Sequence, residues 1–488
     1  LFMKTPRLLK TAPALSALLA LAGCVTPPAL PPAAAPRDAS GIAAGQSLPA
    51  TPGAAWPGDG WWQAYGDTQL DALVAEALAG SPDIAAAAAR LRRAEGMEQA
   101  AGGALLPTLD AQGSAGWDKA SYNNGFPKAF VPKGWNDRGK LAGALAFDPD
   151  IWGRNRAALA AATSDRRAAE VDLAQSRLMI AGAMVAAYAD LARLFEERAV
   201  RAEWLALREK AEDLVRRRVA SGLDNRASLN TAEAQTATAR GDLAAAEQAL
   251  ALRRNQIAAL AGAGPDRGLA ITPPQWRALP DRPLPDGVTT DLLGRRPDLV
   301  SARERVEAMA RRVKVARTAF YPAISLSALY GVQSIGLDAL LDRDSTTGSI
   351  GAAISLPLFR GGQLQGQYRN ARGAFDEAVA SYDKAVLAAW QDLADAVTAR
   401  RLNAERLGEA RKALAASEAA HALARRRYEA GLNSWLDVVA VEERALQARL
   451  AATALEGALR QSDAALNRAL GGGYAAPAEL LARTNRDD

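Results

Sequence analysis

The sequence has very few of the residues from which chemical sites are usually assembled: one Cys, one His and five Met in 488 residues. A single thiol excludes a disulfide within the chain. One Cys and one His also leave no material for a Cys/His metal site or a Cys–His nucleophile pair. Five Met are too few for a soft-metal relay. His421 falls in mid-helix among alanines, where it reads as a surface or groove residue. No nucleophile–base pair is visible, so the chain reads as a non-enzyme, and no cofactor is implied. Basic patches interleaved with aromatics are also missing, so the net charge of +5 describes solvated helix faces of mixed sign and points to no nucleic acid.

What is present is alanine, charge and 49% hydrophobic residues, with 25 Pro and 40 Gly bunched outside the helical stretches. This mix suits extended helices and coiled-coil-like packing. Residues 1–23 have the anatomy of a secretory signal, with Lys4, Arg7 and Lys10 ahead of an apolar run, Ala12–Ala22, too short to span a bilayer. The run ends Leu21-Ala22-Gly23-Cys24, which resembles the bacterial lipoprotein cleavage box. Cleavage there would make Cys24 an acylated first residue. Several acyl chains anchor firmly, and by resemblance to Gram-negative lipoproteins Val25 in place of Asp implies no retention in the inner membrane. Residues 24–66 form a Pro/Ala/Gly tether that ends in the aromatic run from Trp61, and Asp67 is placed to cap the first helix.

From there the chain repeats itself. Ser81-Pro82-Asp83 opens a helix that stops before Pro107, and Arg296-Pro297-Asp298 opens one that stops before Pro322. Pro82 to Pro297 and Pro107 to Pro322 are both displacements of 215 residues. Two near-identical reversals, Arg216–Asn225 and Arg425–Ser434, place Gly222 and Gly431 209 residues apart. Gly at each supplies the left-handed residue that ends one helix, and a small polar residue starts the next. The chain is therefore read as a first repeat over 67–264, a linker over 265–288, a second repeat over 289–473 and a solvated tail over 474–488.

Each repeat contains a period-two hairpin, at 107–149 and 322–357. Leu109, Ala111, Gly113, Ala115 and Trp117 alternate with polar or small residues, as do Ile324, Leu326, Ala328 and Tyr330. Their return partners are Leu141, Gly143, Leu145 and Phe147, then Ile350, Ala352, Ile354 and Leu356. These are four strands of about ten residues, the length of a tilted strand crossing a bilayer, with loops expected over Asp118–Arg138 and Gly331–Gly348. Long helices follow, Asn155–Val219 and Gln363–Tyr428, each roughly 100 Å at 1.5 Å per residue. Four strands cannot close a barrel, and an open edge in hydrocarbon leaves backbone groups unpaired at several kcal/mol each. The expectation is therefore an assembly: a β-barrel continued by a tube of helices.

Taken together, the chain resembles the TolC-type outer-membrane efflux proteins, in the lipoprotein branch that serves resistance–nodulation–division pumps. The resemblance is carried by the cleavage box, Trp61-Trp62, Phe147–Arg154, Arg295–Leu299, Phe320-Tyr321-Pro322, Leu356–Gly362 and the two reversals, and covers residues 24–473. It implies an α+β membrane protein, a homotrimer with a 12-stranded barrel in the outer membrane above a 12-helix periplasmic tunnel. It also implies a passive exit duct for small molecules, partnered by a periplasmic adaptor and an inner-membrane pump. A protein-secretion duct and a coiled-coil envelope scaffold are the alternatives; the scaffold would need the helices but not the alternating strands.

The family closes its periplasmic end by packing the reversals together, within 216–228 and 425–440. The resemblance assigns this gate to Arg218, Asp224, Arg226, Arg427, Tyr428, Leu436 and Asp437, with Leu436 as the apolar constriction. The turns around Gly222 and Gly431 would receive the adaptor. Ser228 and Ala440 stand where related sequences usually carry Asp, which puts an acidic ring in doubt; Asp437 or Glu442 would substitute if the helix phase allows.

Overall fold

A computed structural model of the chain describes residues 27–37, 43–49, 51–123, 125–280, 282–285 and 288–477. The signal segment and Cys24 lie outside the described residues, as does most of the expected tail. The chain divides into two compact units. One comprises Leu91–Ala168 and Ala302–Tyr382, with the described residues that precede Arg37. The other comprises Arg37–Arg90, Ala169–Ser301 and the chain from Asp383 onward.

The first unit holds the strands: β1 (Thr108–Asp118), β2 (Asn136–Phe147), β3 (Ala323–Ile335) and β4 (Thr346–Ser355). They pair antiparallel in the order β1-β2-β3-β4. The register aligns the two repeats into continuous rows: Leu109 faces Leu145, which faces Ala328, which faces Ile350. Gln112, Ala142, Gly331 and Thr347 form a row of the opposite, small and polar face. The apolar face is bare, with Leu109 77% and Ile350 90% exposed. Among the described residues, the outer edges of β1 and β4 have no partner strand.

Both strand pairs run further into the expected loops than the turn-rich composition suggests. Asp118 and Arg138 are joined by a 3.0 Å ion pair across the β1–β2 ladder, which carries pairing into the polar residues. Gly331 and Gly348 are ladder residues, not loop starts. A Cβ at Gly331 would collide with the Leu141 carbonyl oxygen, so this glycine marks a close approach of strands.

The motif that follows β2 ties the hairpin roots together. Asp150, at φ 48°, accepts hydrogen bonds from the backbone N–H groups of Asn155 (2.8 Å) and Arg156 (2.9 Å), satisfying donors at a helix start. Trp152 stacks on Tyr321 and donates its indole N–H to the Pro322 carbonyl at 2.7 Å.

Among the described residues, the helices of eight residues or more are α1 (Thr68–Gly80), α2 (Pro82–Gly103), α3 (Arg154–Ala220), α4 (Arg226–Leu260), α5 (Val288–Arg295), α6 (Pro297–Thr318), α7 (Gln363–Glu429) and α8 (Trp435–Ala469). The second unit has an apolar core in which Tyr65, Leu70, Leu73, Met184, Tyr188, Leu191 and Ile257 are buried. The apolar middle of α3 packs there. Two buried carboxylates of this core are matched. Asp67 caps α1 and accepts the Tyr188 hydroxyl at 2.8 Å and the Gln275 N–H at 2.7 Å. Asp463, 0% exposed, meets the Tyr65 hydroxyl at 2.7 Å, Arg400 at 2.9 Å and Arg282 at 3.3 Å. Burial and the adjacent carboxylate raise the Tyr65 phenol above its ordinary value, so it remains a donor.

Candidate functional site

The two helix reversals are built alike. In the first, the Leu223 N–H donates to the Arg218 carbonyl at 2.8 Å and the Gly222 N–H to the Val219 carbonyl at 3.0 Å. In the second, Leu432 donates to Arg427 at 2.8 Å and Gly431 to Tyr428 at 2.9 Å. Both glycines sit at φ 72°. These are Schellman closures, which require a left-handed residue at the position each glycine fills.

The restarts differ. Asn225 caps α4 by accepting the Ser228 N–H at 3.0 Å. Ser434 caps α8 in a reciprocal capping box, with Asp437 accepting the Ser434 N–H at 2.9 Å and its hydroxyl at 2.7 Å. Those two bonds hold the Asp437 carboxyl below its ordinary range.

Of the expected gate residues, the fold brings Arg218, Asp224 and Tyr428 together. The Arg218 guanidinium lies 5.7 Å over the Tyr428 ring and its Nε is 4.0 Å from Asp224. The Asn225 N–H and the Ser228 hydroxyl, with Arg218 adding, hold Asp224 below the usual carboxylate range. Tyr428 also meets Trp435 edge-to-face at 5.3 Å between ring centres. Trp435 was not among the expected residues, although an aromatic one position into a helix beside a Gly turn was a readable signal.

Arg226, Arg427 and Leu436 are not drawn into this cluster; all three are exposed, Leu436 at 62%. Asp437 is occupied by the cap and provides no free acid at the tip. Glu442 does not replace a missing surface acid either, because it is 1% exposed on α8 and lies 3.7 Å from Arg208 of α3. Burial pushes its carboxyl up to about 7, against the pull of Arg208. Arg208 itself donates to Gln235 at 2.9 Å and Glu443 at 3.2 Å and sits over the Trp204 ring. This buried set joins α3, α4 and α8 above the reversals. Sequence reading missed Arg208 because nothing local separates it from the exposed arginines of the same helix.

The arrangement is one of turns, caps and a cation–aromatic contact. It presents two rigid turns with exposed Leu223, Leu432 and Leu436, exposed Arg226 and Arg427, and a cation–aromatic clasp between the reversals of the two repeats. Among the described residues, no three His, Cys, Asp or Glu side chains come together as a metal site.

Comparison with known proteins bears on most of the chain. A family model described as outer membrane efflux protein matches residues 73–263 and 288–472. The fusaric acid resistance protein FusA of Burkholderia cepacia is 34% identical over 360 residues, which are 72% of this chain and 67% of that protein. The pyoverdine export outer membrane protein OpmQ of Pseudomonas aeruginosa is 29% identical over 431 residues, 87% of this chain and 89% of that protein. The crystal structure of the outer membrane protein VceC from Vibrio cholerae superposes with a TM-score of 0.81 at 39% identity, covering 86% of this chain and all of that one.

Proposed function

The chain belongs to the outer membrane efflux protein family, and from that premise we propose that three copies form the outer-membrane duct of a tripartite export system. Its cargo would be small molecules, delivered by an inner-membrane pump through a periplasmic adaptor. The observation that carries this reading is the four-stranded sheet, with a bare apolar face and two edges that have no partner strand among the described residues. Closing those edges against further copies pairs the backbone and turns the apolar rows toward lipid. Three copies give twelve strands, enough to leave an aqueous lumen.

The reversals are the proposed gate and docking points. Arg218, Asp224 and Tyr428 hold the two tips of one copy together, while exposed Leu436, Arg226 and Arg427 supply contacts between copies. The turns at Gly222 and Gly431, equivalent in backbone geometry, would receive the adaptor on both repeats. Cys24 is proposed as the lipidated residue on the strength of its cleavage box.

Detergent extraction followed by gel electrophoresis with and without heating tests the assembly. A heat-sensitive oligomer that conducts ions in a planar bilayer is the expected result; a water-soluble monomer would overturn it. Deleting the gene and challenging the strain with dyes, detergents and antibiotics tests the cargo class. Unchanged susceptibility to all of them would count against small-molecule export.

A further inference from the structure

The chain is an arginine protein with one lysine-rich place. Of its 59 basic residues only ten are Lys, and four of those, Lys119, Lys128, Lys133 and Lys140, fall in or beside the segment that joins β1 to β2. The joining segment, described over residues 119–123 and 125–135, also exposes Phe126, Trp135 and Phe130, the last at 82%. It is held in shape by a short 3₁₀ turn, Lys128–Phe130, and by the Gly134 N–H donating to the Tyr122 hydroxyl at 3.0 Å.

The acids at its base are already committed. Asp118 pairs with Arg138 at 3.0 Å, and Asp137 accepts the Leu337 N–H at 2.8 Å from the β3–β4 loop. The lysines have no carboxylate partner among the described residues. The segment therefore presents cations and aromatic rings together, at the end of the sheet away from the helices. Trp117, on the apolar face of β1, makes that presentation continuous with the rows that face lipid.

We propose that this loop is a docking surface for the phosphate-bearing headgroups of the outer leaflet, with the aromatic rings seated at the headgroup level and Lys119, Lys128 and Lys133 on the phosphates. The inference rests on the outer-membrane channel reading above. Apolar rings exposed beside cations are what an interfacial anchor requires. Unneutralised lysines beside rings that continue the lipid-facing rows suit an anionic lipid surface. Lysine also suits such a surface, because its compact ammonium reaches a headgroup on a flexible stem that stays against apolar surface.

The test uses the full-length oligomer in detergent, with native mass spectrometry counting bound bisphosphorylated lipid A, dephosphorylated lipid A or neutral phosphatidylcholine. Wild type should retain the bisphosphorylated form selectively, and added inorganic phosphate at millimolar concentration should not displace it. The triple variant Lys119→Gln/Lys128→Gln/Lys133→Gln should lose about tenfold or more of that retention, since each lysine near an anionic surface contributes severalfold. Its heat-sensitive oligomer and conductance should be unchanged. Equal retention by the variant, or equal binding of the dephosphorylated lipid, overturns the proposal. Displacement by inorganic phosphate would overturn it too, by marking an ion site. A preparation with no detergent-requiring oligomer would instead overturn the channel reading.

Discussion

In the helical unit, Tyr65, Met184 and Tyr188 are wholly buried and the carboxylates of Asp67 and Asp463 find their donors within the same chain. In the sheet unit, Leu109, Leu141 and Ile350 face outward and the edges of β1 and β4 are open. The buried core of the one is satisfied within a single chain, whereas the other leaves its apolar face bare and, among the described residues, its outer strand edges unpaired. On the channel reading proposed above, lipid and further copies complete the sheet while the core of the helical unit is already packed, so substitutions in the two should fail in different ways.

The largest expected effect is at Asp463. Asp463→Ala strips the partner from Arg282, Arg400 and the Tyr65 hydroxyl in a dry core, and breaking such a buried pair costs about 3–5 kcal/mol. Chemical denaturation of the detergent-solubilised protein, followed by tryptophan fluorescence, should show this loss whether or not the oligomer forms. A midpoint within error of wild type would show that the core does not depend on the cluster.

Next comes the sheet. Leu141→Arg places a charge midway along β2 on the apolar face and should cost about 2–4 kcal/mol in a bilayer. Ser114→Arg, on the opposite face and one strand away, should be nearly neutral by the same measure. Yield of the heat-sensitive oligomer after reconstitution into vesicles reads both. Equal losses would mean that the two faces do not differ in environment and would undo the contrast between the units.

How much of this was legible beforehand follows the same division. Strands and reversals are local: period-two alternation reports a face and a Gly before a small polar residue reports a cap, so both could be read in place. Strand ends were misjudged because Asp118, Arg138 and Gly331 look like loop residues until the register sets them opposite their partners. The Asp463 cluster was invisible, since its partners are 398, 181 and 63 residues away in sequence. Arg208 and Glu442 were hidden for a further reason: on long helices rich in Arg and Glu, only packing decides which pair is buried. The capping role of Asp437 was open to inspection, three residues after Ser434, and was outweighed by the expectation of a gate acid.

Glu442 makes the helical unit pH-sensitive. Its folded carboxyl titrates near 7 against an ordinary 4.5, so between those values the folded state binds more protons than the unfolded one. Stability from this group is therefore present below about pH 4.5 and is lost as pH rises toward 7, by at most about 3 kcal/mol. Glu442→Gln should flatten the dependence in that window and be more stable than wild type at pH 8. The charges facing the site are Arg208 on α3, Glu443 on α8 and Arg425 on α7. A wild-type unfolding midpoint that does not change between pH 5 and 8 would sink this assignment.

The smallest effects separate the two reversals from each other. Both close through the same glycine geometry, so their difference lies in the restart. Asn225 satisfies one orphan N–H of α4, whereas Ser434 and Asp437 satisfy two groups reciprocally at the start of α8. Removing a cap costs about 1 kcal/mol. Ser434→Ala also removes the hydroxyl that donates to Asp437, so it should cost more than Asn225→Ala. Hydrogen exchange at the first turns of α8 and α4 measures the two losses separately. Faster exchange confined to α8 after Ser434→Ala, with α4 and the Arg218–Tyr428 contact unaffected, would establish the second reversal as the independently capped one. Loosening of both tips together would mean instead that the Arg218–Tyr428 clasp couples the two tips and that neither cap acts alone.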